Sequence, residues 1–314
     1  MVDLLPLGST LVLAPRDFVH SPEALAKAYT LTEAESYTRW LSTSHYENFH
    51  IVSFLLPKRL HQDFYNVYAF CRWADDLGDE MGDTVESLRL LAWWRTELHA
   101  MVAGSATHPV FVALMGTARK YQLPLQPFDD LITAFERDQT ITRYATYEEV
   151  YEYCKYSANP VGRLVLYLCG YSDTERQRLS DSTCTALQLA NFWQDVAVDL
   201  LKDRVYIPFE AMARHGYTED DLFAHRETQA FQAVMKEVTG RARLLFEEGL
   251  PLVRMVNRRL SLDLDLFSRG GMMVLDKIEQ QHYLVLGRRP SISKVERVGL
   301  LLSSVVRVVF STAA

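Results

Sequence analysis

Apolar residues recur along nearly the whole chain with the period of a helix, and strand-like alternation is hard to find. The periodic blocks cover residues 60–79, 85–100, 128–136, 147–168, 181–200, 231–259 and 274–286. Breaks fall at Leu56-Pro57, Gly82-Asp83, His108-Pro109, Leu123-Pro124, Ile207-Pro208, Gly270-Gly271 and Arg289-Pro290. Gly and Pro together make up 25 of the 314 residues, about 8% where about 12% is usual. Few turn formers favour long helices over an all-β fold. No stretch is a low-complexity linker, so the expected architecture is one all-α domain over 1–314. Asn159-Pro160-Val161-Gly162 interrupts one block. Proline inside a helix removes a backbone bond and costs about 3 kcal/mol. The segment is therefore either a kink whose freed carbonyls line a cavity or the meeting point of two shorter helices.

The formal net charge of −7 excludes a general polyanion-binding surface, so nucleic acid is not an expected partner. Cys71, Cys154, Cys169 and Cys184 contain no C-x-x-C pair, and no basic stretch precedes an apolar core at the N-terminus. A cytoplasmic location without a secretion signal is expected. Residues 98–118 lack Asp, Glu, Lys and Arg, but His99, Gly104, His108 and Pro109 rule them out as a spanning helix. Residues 298–310 are apolar, with Arg307 their one charge. They fit either a last helix packed on the core or a segment lying on a membrane surface.

Two acidic clusters stand out. The first reads Cys71-Arg72-Trp73-Ala74-Asp75-Asp76-Leu77-Gly78-Asp79-Glu80. At about 100° per residue, Asp75 and Asp79 lie about 40° apart on one face, with Arg72 a turn before. The second, residues 188–199, sets Gln188, Asn191, Asp195 and Asp199 in one polar stripe. Like charges at i,i+4 destabilise a helix by a few tenths of a kcal/mol. Here the repulsion occurs twice among Phe70, Trp73, Phe192 and Trp193, and something cationic must offset it. One such pair alone is usually a solvated face. Two, each preceded by amide or guanidinium groups, point to hard-oxygen ligation of magnesium completed by substrate phosphate oxygens. Two carboxylate walls around metal form a diphosphate clamp.

These residues resemble the squalene/phytoene synthases, head-to-head trans-prenyl synthases of all-α fold with a central cavity between two aspartate-bearing helices. The resemblance runs over about 45–289. Its first motif is similar to Val67-Tyr68-Ala69-Phe70-Cys71-Arg72 leading into Asp75, Asp76 and Asp79, and its second to residues 188–199 followed by Asp203-Arg204-Val205-Tyr206. His45-Tyr46-Glu47-Asn48-Phe49, Ser157-Ala158-Asn159-Pro160-Val161-Gly162-Arg163 and Asn191-Phe192-Trp193-Gln194-Asp195 resemble the bacterial hydroxysqualene synthase branch of hopanoid biosynthesis. That branch converts presqualene diphosphate and water to hydroxysqualene and diphosphate. The chain departs from condensing members of the family in three places. Tyr46-Glu47-Asn48 replaces a serine-rich patch, Gln194 stands where they have Arg, and Gly271 aligns with a tyrosine ahead of the late helix. The losses weaken binding of two prenyl diphosphates together and leave room for one.

The resemblance implies that Asp75, Asp79, Asp195 and Asp199, with Asp76 in support, hold two or three Mg2+ ions. It implies Arg72, Gln188, Asn191, Arg204 and Arg288 as donors to the diphosphate, stabilising a leaving anion as its charge develops. Surface ion pairing is the plain alternative for Arg204 and Arg288. Tyr153 aligns with a tyrosine facing the reacting carbons, where a phenol can donate a hydrogen bond or turn its π face to a cation. Asn159 and Gln194 are the candidates for holding the attacking water. Phe49, Phe54, Tyr68, Leu164, Val165 and Leu187 are candidate lining groups for a C30 hydrocarbon, although apolar residues at helical spacing are core by default. No NADPH is expected. The implied partners are presqualene diphosphate, other squalene-pathway enzymes through hand-over, and peripherally the inner face of the membrane. The rivals are a condensing synthase and a non-catalytic scaffold of the same fold, the latter disfavoured because all four motif aspartates are present.

Overall fold

The computed structural model describes residues 12–44 and 57–311. The described residues are helical apart from loops and one isolated parallel bridge between Arg143 and Val205, which establishes the all-α class. Helices of ten residues or more are α1 (Leu31–Ser44), α2 (His61–Asp79), α3 (Thr84–Ala103), α4 (Pro109–Tyr121), α5 (Gln126–Asp138), α6 (Tyr147–Ser157), α7 (Asn159–Leu168), α8 (Thr174–Leu200), α9 (Gln229–Gly249), α10 (Arg258–Gln280) and α11 (Lys294–Ser311). The chain forms two compact units, divided between Gln139 and Thr140.

In the first unit, local chemistry sets the helix ends. Asp83 accepts from the amides of Val85 and Glu86 to start α3, and Gly104, at φ 78°, closes it. His108 caps α4 through its ring nitrogen, with Pro109 at the first turn. The core that holds α2 in place is aromatic. Trp73 stacks on Trp94 at 4.9 Å, and the buried His108 ring meets Trp73 edge-on at 4.5 Å. Burial drives the His108 pKa well below its usual value, so the ring is neutral. On the same helix, Asn66 donates to the Ala113 carbonyl and to Thr117, while Thr38 and Gln62 donate to its carbonyl oxygen. The hydrogen-bonded side chains fix the rotation of α2 and so the direction in which its acidic end points.

In the second unit α8 packs against α6, α7, α9 and α10. Pro160 lies in the first turn of α7 and the break falls at Ala158, so the interruption is the junction of two shorter helices. Proline is harmless there because the first-turn amides have no helical partner. Gly162 brings α7 close to α8: a Cβ at this position would fall on Ser180 Oγ and Cys184 Sγ.

Two expected boundaries are corrected. The block at 231–259 is not one helix, because Pro251 sits in a short 3₁₀ turn, Leu250–Arg254, that ends α9. Gly270-Gly271 is not a break, since α10 runs straight through both glycines. Tertiary packing retains a helix whose intrinsic cost is about 1 kcal/mol per glycine.

Candidate functional site

Near the C-terminal end of α2, Arg72 pairs with Asp75 at 3.1 Å, with Asp76, and with Glu80 at 3.2 Å. The three acids differ in setting. Asp75 is partly exposed and Asp79 exposed, while Asp76 is only 3% exposed. Burial pushes the Asp76 carboxyl up to about 7 against the opposing pull of Arg72. Asp76 thus faces inward as the acid that holds Arg72, and Asp75 and Asp79 make up the outer row. Tyr68 lies half-buried one turn before Arg72.

The second row lies on α8. Asp195 receives both the Nε and, at 3.0 Å, the Nη2 of Arg289, a two-point grip. One turn further on, Asp199 is half-buried. Its carboxyl is pushed up to about 7 by burial and by the charge of Asp195, with Arg204 and Lys202 opposing. Gln188 is half-buried and Asn191 exposed. Gln194 is buried and donates its Nε2 to the Pro290 carbonyl at 2.6 Å. That bond and the Asp195–Arg289 pair fasten the 289–290 segment to α8.

After α8 the chain turns through Asp203, at φ 55°, which receives Arg143 at 2.5 Å. The Arg204 amide donates to the Asp199 carbonyl at 3.0 Å, and that of Val205 to the Thr142 carbonyl at 2.9 Å. This turn keeps Arg204 beside the end of the acidic row. Tyr206 stacks on Phe192 at 3.7 Å and 5°. Tyr153 completes an aromatic cluster, with its ring 5.7 Å from Tyr144, 5.9 Å from Phe192 and 5.8 Å from Tyr206. Asn159 is buried at the start of α7, and its carbonyl oxygen accepts from Thr185 Oγ1 at 2.9 Å. Its NH2 has no hydrogen-bond partner among the described residues.

The lining candidates have different settings within their own units. Phe49 and Phe54 lie outside the described residues. Leu164 is fully buried core, Val165 packs with a cluster containing Leu166, Leu179, Leu252 and Leu260, and Leu187 packs on the main core of the second unit. Arg288 is exposed and forms no ion pair among the described residues, whereas its neighbour Arg289 meets Asp195. Arg289 was therefore missed as a site residue. Its only signal in the sequence is the paired arginine ahead of Pro290. Tyr144, Phe192 and Tyr206 were missed as an aromatic patch around Tyr153.

The motif aspartates fit magnesium in one particular way. Among the described residues no three His, Cys, Asp or Glu side chains converge into a ready cage. Magnesium is usually bound by one or two carboxylates and completed by water and substrate phosphate. The all-oxygen pairs Asp75/Asp79 and Asp195/Asp199 are donor sets of that kind. The repulsion within each row is already offset in part by Arg72 and Arg289, so charge balance alone does not demand a metal.

The squalene/phytoene synthase family model matches residues 42–296, and the chain belongs to that family. It is 30% identical over 276 residues to a 15-cis-phytoene synthase of Synechococcus elongatus, covering 83% of this chain and 88% of the relative. It is 31% identical over 259 residues to a phytoene synthase of Thermus thermophilus, covering 82% and 88%. Among solved structures it is similar to squalene synthase HpnC from Alicyclobacillus acidocaldarius, with a TM-score of 0.78, 45% identity, and coverage of 81% of this chain and 95% of the other. A dehydrosqualene synthase in complex with ligand gives a TM-score of 0.78 at 25% identity, covering 88% and 96%.

Proposed function

We propose that the chain is a hydroxysqualene synthase, which ionises presqualene diphosphate and captures the rearranged cation with water. The observation that carries this reading is Gln194, a buried neutral amide beside Asp195 where condensing members of the family place an arginine. Two prenyl diphosphates held together need that additional cation, and one does not. The 45% identity to HpnC, against 30% and 31% to the two phytoene synthases, supports the same branch.

Asp75, Asp79, Asp195 and Asp199 are the residues to hold Mg2+, which when bound supplies Lewis-acid neutralisation of the diphosphate oxygens. Arg72, held by Asp76, donates to the leaving diphosphate together with Arg204, Arg289, Gln188 and Asn191. As the C–O bond breaks, the positive charge passes to a cyclopropylcarbinyl cation and then to an allylic cation. The faces of Tyr153, Phe192 and Tyr206 are suited to stabilise it. The free NH2 of Asn159 leaves this amide better placed than Gln194, whose nitrogen is engaged with Pro290, to orient a polar reactant. Water adds to the cation, and its proton passes to the departed diphosphate, so that presqualene diphosphate and water become hydroxysqualene and diphosphate. NADPH has no part in this balance.

The test is product analysis after incubation with presqualene diphosphate and Mg2+, with and without NADPH. Hydroxysqualene under both conditions is expected, and squalene formed only with NADPH would sink the assignment. The names of the curated relatives favour a condensing enzyme as the second reading. Turnover of farnesyl or geranylgeranyl diphosphate as sole substrate would establish it.

A further inference from the structure

Helix α11 leaves an apolar face outside the protein. Its inward side is mixed, with Val308, 5% exposed, beside polar groups. Ser304 is fully buried, Glu296 pairs with Lys277, and Arg307 lies 3.7 Å from the buried carboxylate of Asp265. The outward side carries Val295, Val298, Leu301, Leu302, Val305 and Val306, which are between 39% and 82% exposed. At about 100° per residue these six occupy about 140° of arc, an apolar stripe with Lys294 at its N-terminal end. No helix among the described residues is long and apolar enough to cross a membrane, so this one is suited to lie in an interface and not to span it.

The charge around the stripe is equally one-sided. Residues 250–314 contain ten Lys and Arg against five Asp and Glu, in a chain whose formal net charge is −7. Lys294 and Arg297 are exposed on α11 and form no ion pair among the described residues. Beside the helix is a cavity of about 570 Å³ whose charged lining is Arg254, Arg269, Arg307, Asp265 and Glu247. Asp265, 3% exposed, receives Arg269 Nε at 2.8 Å on one oxygen and faces Arg307 with the other. It fixes two guanidinium groups at the wall, while Arg254 stands without an ion-pair partner among the described residues. Apolar side chains including Leu250, Val253 and Val308 form the rest of the lining.

We infer that α11 and the basic side chains beside it form a docking surface for an anionic phospholipid bilayer. The apolar stripe enters the boundary between headgroups and acyl chains, and the exposed Lys294, Arg297 and Arg254 receive lipid phosphate. Apolar area alone gives weak membrane binding. Basic residues near an anionic surface add about fivefold each, which is why stripe and charge are needed together. The inference does not depend on which reaction the family site performs.

The test is flotation of the purified full chain with vesicles of phosphatidylcholine alone or mixed with phosphatidylglycerol. The parent chain is expected to float with the mixed vesicles and to be largely released by high salt. Leu302→Asp combined with Val306→Asp should leave it in the soluble fraction with an unchanged melting temperature, because both positions are exposed. Arg254→Gln combined with Arg297→Gln keeps the stripe intact and should lower the partition more than tenfold. The inference is overturned if the parent chain stays soluble with the mixed vesicles, or if the arginine pair variant partitions as well as the parent. A concentration-dependent dimer that the Asp variants abolish, without vesicle binding by the parent, would overturn it too and make the stripe a contact between copies of this chain.

Discussion

Asp263 sets the sharpest constraint on a single residue. It is 2% exposed, both its oxygens lack a hydrogen-bond partner among the described residues, and burial pushes its carboxyl up to about 8. A folded-state value above the unfolded one means that the native chain holds a proton the unfolded chain has released. Stability therefore falls as pH rises from about 4 to about 8. Asp263→Asn removes that dependence. The variant should match the parent near pH 4 and exceed it at pH 8 by a few kcal/mol, read by denaturant unfolding at both values. Arg289 makes a different prediction. Its pair with Asp195 is largely exposed and worth at most about 1 kcal/mol, so Arg289→Gln should barely alter melting. It should nevertheless lower kcat/KM about tenfold through the lost donor, while the magnesium concentration giving half-maximal rate falls as Asp195 is freed; an unchanged rate would make the pair purely structural. The aspartate rows were legible in the sequence because a 3.6-residue period places side chains on a common face whatever surrounds the helix. Arg289 was not, since nothing in Arg288-Arg289-Pro290 tells which guanidinium turns toward α8.

At the scale of the element, periodicity found the helices and misplaced some of their ends. The period reports which face is buried, and it continues through a proline-bearing turn such as Leu250–Arg254 or through two glycines within α10. Ends depend on individual capping groups, such as Asp83 and Asn257, whose side chains accept the first amides of α3 and α10. Gly271 shows why glycine is retained inside α10. A Cβ there would fall on the far edge of the Phe246 ring and lie 3.0 Å from Leu187 Cδ2. The space beside residue 271 is occupied by Phe246 from α9. Gly271→Ala should cost about 1–3 kcal/mol by overpacking. Phe246→Leu leaves a gap of its own, so the double variant should be more stable than the sum of the two single losses predicts. Melting curves for the three variants measure that coupling, and strict additivity would show that the Phe246 ring is not what excludes a side chain at 271.

At the scale of the whole molecule, the family match at 42–296 runs through both compact units, so neither is an accessory. The first aspartate row belongs to one unit and the second to the other. Reading them as parts of one chemistry rests on the sequence, where the same i,i+4 spacing appears twice in a fixed order. The outward turn of α11 was not legible, because hydropathy measures how apolar a segment is and not which side of it the protein covers. If both rows serve one diphosphate, each is necessary and neither supports turnover alone. Asp79→Asn and Asp199→Asn, in opposite units, should then each lower kcat by two to three orders of magnitude, on the order of 3–4 kcal/mol of transition-state stabilisation. Binding provides a readout that is independent of turnover. Inorganic diphosphate with Mg2+ at about a hundred times its dissociation constant stabilises the native state by about 2.7 kcal/mol, which raises the melting temperature by several degrees. Chelation of the metal should abolish that rise in the parent, and so should either substitution by itself. A rise that survives loss of one row but not the other would assign the diphosphate to a single helix and leave the second row to another task.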